Sequence, residues 1–108
     1  PEKSRAAYGE HKFGKACLMA RRLVEAGVSF VEIFHRGWDD HEGAAKRIKP
    51  RCEWMDTAMA TLIDDLKDRG LFQDTLIVWM GEFGRSPVKG DGHYARAWTT
   101  VMAGGGIK

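Results

Sequence analysis

The side chains best suited to chemistry are concentrated in a short polar segment that directly follows an apolar, strand-like run. The segment reads Gly37-Trp38-Asp39-Asp40-His41. Two carboxylates and an imidazole within three residues suit Zn²⁺, Mn²⁺ or a similar divalent ion. The alternative is that Asp40 caps the following helix while His41 is a solvated loop residue. The motif alone favours neither interpretation.

A second polar segment follows the next strand-like run. It reads Gly81-Glu82-Phe83-Gly84-Arg85. Glu82 could be a metal ligand or a general base, and Arg85 could hold an anionic oxygen with its guanidinium fork. The alternative is a Glu82–Arg85 ion pair that stiffens a turn. Taken in isolation, this segment favours the ion pair.

A third candidate is His93, which lies in a glycine-rich segment between Gly90 and Tyr94. By itself it is a surface histidine. It gains weight as a ligand because its loop follows the second strand-like run and can fold back over the same edge of a sheet.

Hydrophobic periodicity predicts the elements that must position these loops. Helices are predicted to end at Gly27 and Gly70, where a left-handed cap favours glycine. Pro50 is expected in the first turn of the second helix, or to break a short helix before it. The predicted elements are a helix over 4–26, a strand over 28–34, a helix over 44–69, a strand over 75–80, a loop over 81–97 and a strand over 98–103.

This order predicts an α/β fold with parallel strands and crossover helices. A strand–helix–strand unit with a long connection places its two strands parallel, with a right-handed crossover. Near-continuous apolar strands indicate coverage on both faces. In open parallel sheets, ligands bind beyond the carboxyl ends of the strands. We therefore expect the loops that contain His41 and Glu82 to converge on one edge of the sheet.

Composition excludes several classes of function. The net charge is +2, with 44% hydrophobic and 30% charged residues, as in ordinary globular domains. Lys and Arg form no run or aromatic-interleaved stripe, so nucleic-acid binding is not supported. No apolar run approaches the roughly 18 residues that a membrane span needs. Cys17 and Cys52 are isolated and are interpreted as small hydrophobes, and His11 is expected to be solvated.

Four segments together resemble a bacterial family of unknown function, family 1501, whose members look like sulfatases and alkaline phosphatases. The segments are residues 13–27, residues 37–41, residues 74–87 and residues 103–108. The resemblance implies an alkaline-phosphatase-like three-layer fold with divalent metals at the carboxyl ends of its strands. Family members are several times longer, so residues 1–108 are expected to be a single partial domain that lacks the nucleophile.

The resemblance also implies roles for individual residues. Asp39, His41 and His93 would hold a divalent metal, which could be Zn, Mn or Ca. Glu82 and Arg85 would be catalytic. Glu82 stands where phosphatases of the superfamily usually have an Asp-His pair, and Gly92 precedes His93 where the family usually has Asp, with Asp91 one position earlier. At both positions the sequence departs from the usual ligand pattern.

The first functional hypothesis is a metal-dependent hydrolase of sulfate or phosphate esters. Its substrate would be an anionic ester such as a sulfated polysaccharide, and the segment alone should show little or no turnover. The second hypothesis is a non-catalytic exported binding protein with the same fold. A third, structural interpretation leaves the polar residues as caps and ion pairs. The resemblance further implies a periplasmic or exported location.

Overall fold

The computed structural model describes residues 2–88 and 92–107, and within them it shows a mixed α/β chain. Helices occupy the first two thirds, and short antiparallel strands occupy the rest. The helices are α1 (Glu2–Ala7), α2 (Lys12–Glu25) and α3 (Ala44–Asp68), followed by a 3₁₀ turn at Phe72–Asp74. The strands are β1 (Leu76–Met80), β2 (Gly84–Arg85), β3 (His93–Tyr94) and β4 (Thr100–Gly104).

The single helix predicted over residues 4–26 is wrong, because the structure divides it into α1 and α2. The chain turns between them at Gly9, whose φ of 77° lies in the left-handed region that favours glycine. His11 then caps α2, since its Nδ1 accepts a hydrogen bond from the backbone N–H of Phe13 at 3.1 Å. His11 is exposed to solvent, as expected, and its ring also stacks on Trp54 with centroids 3.9 Å apart.

The predicted second helix is confirmed, and it is continuous through Pro50. The expectation that Pro50 lies in the first turn or ends a short helix is therefore wrong. Proline removes one backbone hydrogen bond from a helix interior. Here the helical turns before and after Pro50 are both tied to Asp40, because Arg47 and Arg51 bind its carboxylate.

The hydrophobic core lies between the N-terminal helices and α3. The helical spacing of Met55, Ala58, Met59, Leu62 and Leu66 predicts a buried stripe along α3, and the structure confirms it, with Met59 partly buried at its margin. Full burial of a Leu-sized side chain stabilises a fold by roughly 1.5–3 kcal/mol, so this interface is the main source of stability. Its buried members are Tyr8, Phe13, Cys17, Leu18, Met55, Ala58, Leu62 and Leu66.

A polar network fastens the three helices at the edge of this core. Asp65 on α3 accepts hydrogen bonds from Tyr8 at 2.9 Å and from Arg21 on α2 at 2.8 Å. Arg69 donates to Asp65 at 2.8 Å and to Glu25 at 2.6 Å. Arg21 is only 4% exposed, so its charge is neutralised inside the structure rather than by water.

The predicted strand over 28–34 is wrong. Burial alternates along the segment, because Val31 and Ile33 are half-buried and their neighbours are exposed. Phe30 and Phe34 are 80% and 74% exposed. Strand identity requires a hydrogen-bonded partner, and β1 pairs with β4 instead. The described residues therefore contain no parallel strand pair.

The strands predicted over 75–80 and 98–103 are confirmed as β1 and β4, which form an antiparallel ribbon. Leu76 lies opposite Gly104 and Met80 lies opposite Thr100. Gly104 has a φ of 92°, and a Cβ there would meet the carbonyl oxygen of Thr75 at 2.2 Å, so the turn requires glycine. The expectation that these strands are covered on both faces is wrong for the described chain. Val78 and Met102, which face each other, are 45% and 52% exposed.

No helix within residues 2–88 and 92–107 combines the length and the apolarity that a membrane crossing requires.

Candidate metal centre

Three side chains from two distant loops converge at one point of the surface. The Nε2 atom of His93 lies 2.7 Å from Oδ1 of Asp39, and the Nε2 atom of His41 lies 3.0 Å from the same oxygen. One donor atom from each of the three residues lies within 4.8 Å of the others. We call these residues the Asp39–His41–His93 cluster.

The cluster is open to solvent. The side chains of Asp39, His41 and His93 are 70%, 58% and 42% exposed. Hydrogen bonding to His93, together with the nearby His41, lowers the pKa of Asp39 below its usual value. The carboxylate is therefore ionised at neutral pH, the form in which its oxygen can coordinate a metal ion.

His93 reaches the cluster because β2 and β3 pair as a short antiparallel ribbon. In this ribbon Arg85 lies opposite His93, and Gly84 lies opposite Tyr94. A Cβ at Gly84 would lie 2.0 Å from the carbonyl oxygen of Ala97, so the ribbon packs against that segment only with glycine at this position. The ring of Phe83 lies 4.0 Å from that of His93, centroid to centroid, and limits its rotation.

The Asp39 loop is anchored to α3 through its other aspartate. Asp40 is 5% exposed, and its carboxylate accepts hydrogen bonds from Arg51 and Arg47. The hydrogen bond from Arg51 holds the pKa of Asp40 below its usual value. The predicted helix-capping role of Asp40 is not observed, because the N-cap of α3 is Gly43.

The same loop is anchored to β2 through Arg85. One terminal nitrogen of Arg85 donates to the carbonyl oxygen of Asp40 at 2.7 Å, and the other donates to the carbonyl oxygen of Trp38. Arg85 is half-buried. Its guanidinium therefore joins the β2–β3 ribbon to the loop that carries two members of the cluster.

Aromatic residues hold Trp38, in the same loop, in position. The indole N–H of Trp38 donates to Nδ1 of His35 at 3.0 Å, and the His35 ring lies against Trp54 with centroids 4.7 Å apart. Burial lowers the pKa of His35, and the charges of His11 and Arg51 lower it further. A neutral His35 is the form that can accept the Trp38 hydrogen bond.

The structure separates the predicted site residues into two groups. Asp39, His41 and His93 are brought together. The predicted convergence of the two loops is therefore observed, although the described residues contain no parallel sheet that would produce it. Glu82 is exposed and is not a member of the cluster. Metal binding by the first group and catalysis by Glu82 and Arg85 stay predictions. Asp91 lies outside the described residues.

Sequence reasoning missed the residues that hold the loops in place. Arg47 and Arg51 stand one helical turn apart and share a face of α3, and this spacing after an acidic loop was the available signal. No sequence signal distinguished Arg85 as a donor to backbone carbonyls, because that contact joins residues 45 and 47 positions apart.

Comparison with known proteins gives one result. No curated protein and no solved structure matches the chain. The profile of the family described as "Protein of unknown function (DUF1501)" matches residues 1–108. This family is the one that the four sequence segments resemble, so the chain belongs to the DUF1501 family.

Proposed function

We propose that this chain carries the divalent-metal site of a hydrolase that acts on sulfate or phosphate esters. The observation that supports the proposal is the Asp39–His41–His93 cluster, in which two imidazoles and one carboxylate from distant loops face one another. Two His and one carboxylate leave further coordination positions open for water and substrate.

The donor set fits a metal of borderline hardness. Zinc binds imidazole nitrogen and carboxylate oxygen at about 2.0–2.2 Å, so two such donors on one ion lie roughly 3–3.5 Å apart. The separations of 2.7 and 3.0 Å from Asp39 to the two histidines would open slightly, and the three donor atoms, which lie within 4.8 Å of one another, would close around the ion. Two imidazoles favour Zn²⁺ or Mn²⁺ over Ca²⁺, which takes six to eight oxygen ligands.

In this proposal the side chains divide the work. A bound divalent ion would supply Lewis acidity toward an ester oxygen and lower the pKa of water. Asp39 accepts a hydrogen bond from His93 and pairs with His41, which keeps both Nε2 atoms close to one carboxylate oxygen. Glu82, exposed at the end of β1, would act as a base or a further ligand after a movement of its loop. Arg85 would contribute positive charge beside the anionic ester.

The proposal includes the finer fold and the location implied by the family resemblance. The whole domain would have the three-layer alkaline-phosphatase-like fold with parallel strands. The protein would be periplasmic or exported and would act on an anionic ester such as a sulfated polysaccharide.

Two observations favour a second candidate, a non-catalytic exported binding protein that uses the same metal. Both terminal nitrogens of Arg85 donate to backbone carbonyls, and Glu82 is outside the cluster. In this arrangement the chain would bind a metal ion, but no general base and no anion-binding side chain would be oriented toward the substrate. Metal binding is common to both candidates, so turnover must decide between them.

The first test is isothermal titration of metal-free protein with Zn²⁺ and Mn²⁺. We expect a dissociation constant in the micromolar range or tighter, on the order of −8 kcal/mol. His41→Ala and Asp39→Asn should each weaken it at least about tenfold. Glu42→Gln is the matched control, since Glu42 is an exposed carboxylate beside His41 but is not in the cluster. Absence of binding by folded wild-type protein would refute the metal site.

The second test separates the two candidates. Hydrolysis of 4-nitrophenyl sulfate and 4-nitrophenyl phosphate by the full-length protein is measured with and without the metal. The full-length protein is used because the family resemblance implies that the nucleophile is not among residues 1–108. Metal-dependent turnover that is lost in His41→Ala supports the hydrolase. Metal binding without turnover supports the binding protein.

A further inference from the structure

We infer that Arg85 is a positioning residue that fastens the two loops of the proposed metal centre and holds His93 within reach of Asp39 and His41. The inference rests on the proposed function for what the site binds, whereas the loop geometry can be tested without any metal. It is separate from the positive charge that Arg85 would contribute beside the ester, which requires no direct contact with the substrate.

The contacts of Arg85 bracket Asp39. Its two terminal nitrogens donate to the carbonyl oxygens of Trp38 and Asp40, the residues immediately before and after Asp39. A planar guanidinium can hold two acceptors in a fixed relative orientation. The backbone that carries Asp39 is therefore held at two points.

The other end of the connection is His93. Arg85 lies directly opposite His93 in the β2–β3 ribbon, and directly paired residues of antiparallel strands have Cα atoms only about 4.5–5.5 Å apart. A single side chain thus links the strand pair that carries His93 to the loop that carries Asp39 and His41. These two parts of the cluster are distant in sequence, since His93 lies 54 positions after Asp39.

The surroundings of Arg85 favour positioning over substrate binding. Its guanidinium lies over the Phe83 ring at 6.0 Å, and Phe83 in turn packs against His93 at 4.0 Å. An anion that engaged the same terminal nitrogens would compete with both carbonyl contacts. Groups that orient metal ligands typically change metal affinity by about 10–100-fold when they are removed.

Lysine cannot reproduce this arrangement. An ammonium is a compact point charge, whereas the two carbonyls are bound by two separate nitrogens of the guanidinium. Arg85→Lys therefore keeps the charge and loses the fork. This substitution distinguishes a positioning role from a general requirement for positive charge.

The test measures contact between the His41 and His93 rings in metal-free protein. Their centroids lie 4.8 Å apart, so a nuclear Overhauser effect between ring protons is expected in the wild type. We expect it to be lost in Arg85→Gln and at least halved in Arg85→Lys. Arg96→Gln is the control, because Arg96 is an exposed arginine just after the same ribbon, and it should leave the effect unchanged. Circular dichroism melting identifies any variant that fails to fold, and Arg85→Lys then carries the comparison.

Metal affinity gives the second readout. Titration with Zn²⁺ alone should show at least a tenfold weaker dissociation constant for Arg85→Gln, an intermediate one for Arg85→Lys and an unchanged one for Arg96→Gln. Retention of the ring contact in folded Arg85→Gln, or wild-type behaviour of Arg85→Lys in both measurements, would overturn the inference. If the wild type shows the ring contact but binds no metal, the proposed function fails while the positioning role of Arg85 is still decided by the ring contact.

Discussion

Two adjacent aspartates show how differently one residue type is used at neighbouring positions. Asp39 is 70% exposed and faces two imidazoles. Asp40 is 5% exposed and faces Arg51 and Arg47 on α3. In the proposed site the first would be a metal ligand, and the second holds the loop in position. The residue types alone did not separate the two carboxylates, and only the family resemblance singled out Asp39 as a ligand.

This division predicts opposite effects for two matched substitutions. Asp40→Asn removes the charge that neutralises Arg51 inside the structure, so its melting midpoint should fall by several degrees. Asp39→Asn removes an exposed carboxylate, so its melting midpoint should stay near the wild-type value while Zn²⁺ affinity falls. Thermal melting of metal-free protein measures the first effect, and titration measures the second. Equal destabilisation by both substitutions would contradict the assignment.

At the scale of elements, the helices are held by apolar packing and by the carboxylate of Asp65. Burial by itself would raise the pKa of Asp65, but hydrogen bonds from Arg69 and Tyr8 and the charge of Arg21 together lower it below its usual value. Because the folded pKa is below the unfolded value of about 3.9, the contribution to stability is present above that pH. It is lost as the pH falls through the folded pKa.

Asp65→Asn should therefore lower the free energy of unfolding by about 1–3 kcal/mol at pH 7, because it removes one of the two carboxylates, Asp65 and Glu25, that pair with the buried Arg21. Between pH 5 and pH 2 the wild type should lose more stability than this variant. Urea denaturation at several pH values measures both effects. Asp68→Asn, an exposed carboxylate of the same helix, is the control and should behave like the wild type. Parallel pH profiles for wild type and Asp65→Asn would refute this account.

The elements themselves were predictable to different degrees. The period of the apolar residues in α3 predicts its buried stripe, and Gly70, with a φ of 68°, ends the helical segment as predicted. The run over residues 28–34 has strand composition, yet strand pairing depends on a distant partner that composition does not specify. The same reason explains why the antiparallel pairing of β1 with β4 was not foreseen.

At the scale of the whole molecule, apolar residues are distributed unevenly between a helical core and an exposed ribbon. Leu66 on α3 is 1% exposed, whereas Leu76 on β1 is 53% exposed. Leu66 lies between Asp65 and Lys67, whereas Leu76 begins an apolar run, so local sequence does not predict which of the two is buried. Their different environments follow from which elements pack together, because α2 covers α3 while the described residues leave much of the β1–β4 ribbon uncovered.

Leu66→Ala should lower the free energy of unfolding by about 2–5 kcal/mol, since it removes buried methyl groups and leaves a cavity. Leu76→Ala should change it by less than about 1 kcal/mol, because half of that side chain is already in water. Urea denaturation at neutral pH compares the two. A loss for Leu76→Ala as large as that for Leu66→Ala would show that the ribbon is covered in solution.

The sequence by itself determined α3 with its buried stripe, the identity of the two longer strands and the residue types of the candidate metal site, because these depend on local periodicity and side-chain chemistry. It also carried the four segments that indicated the family. Only the tertiary structure decided that Asp39, His41 and His93 face one another, that Asp40 is buried against Arg51 and that Arg85 binds backbone carbonyls. The contacts of His93 and Arg85 join residues at least 45 positions apart in the chain, and the geometry of the whole site depends on how α3 and the β2–β3 ribbon pack around a single loop.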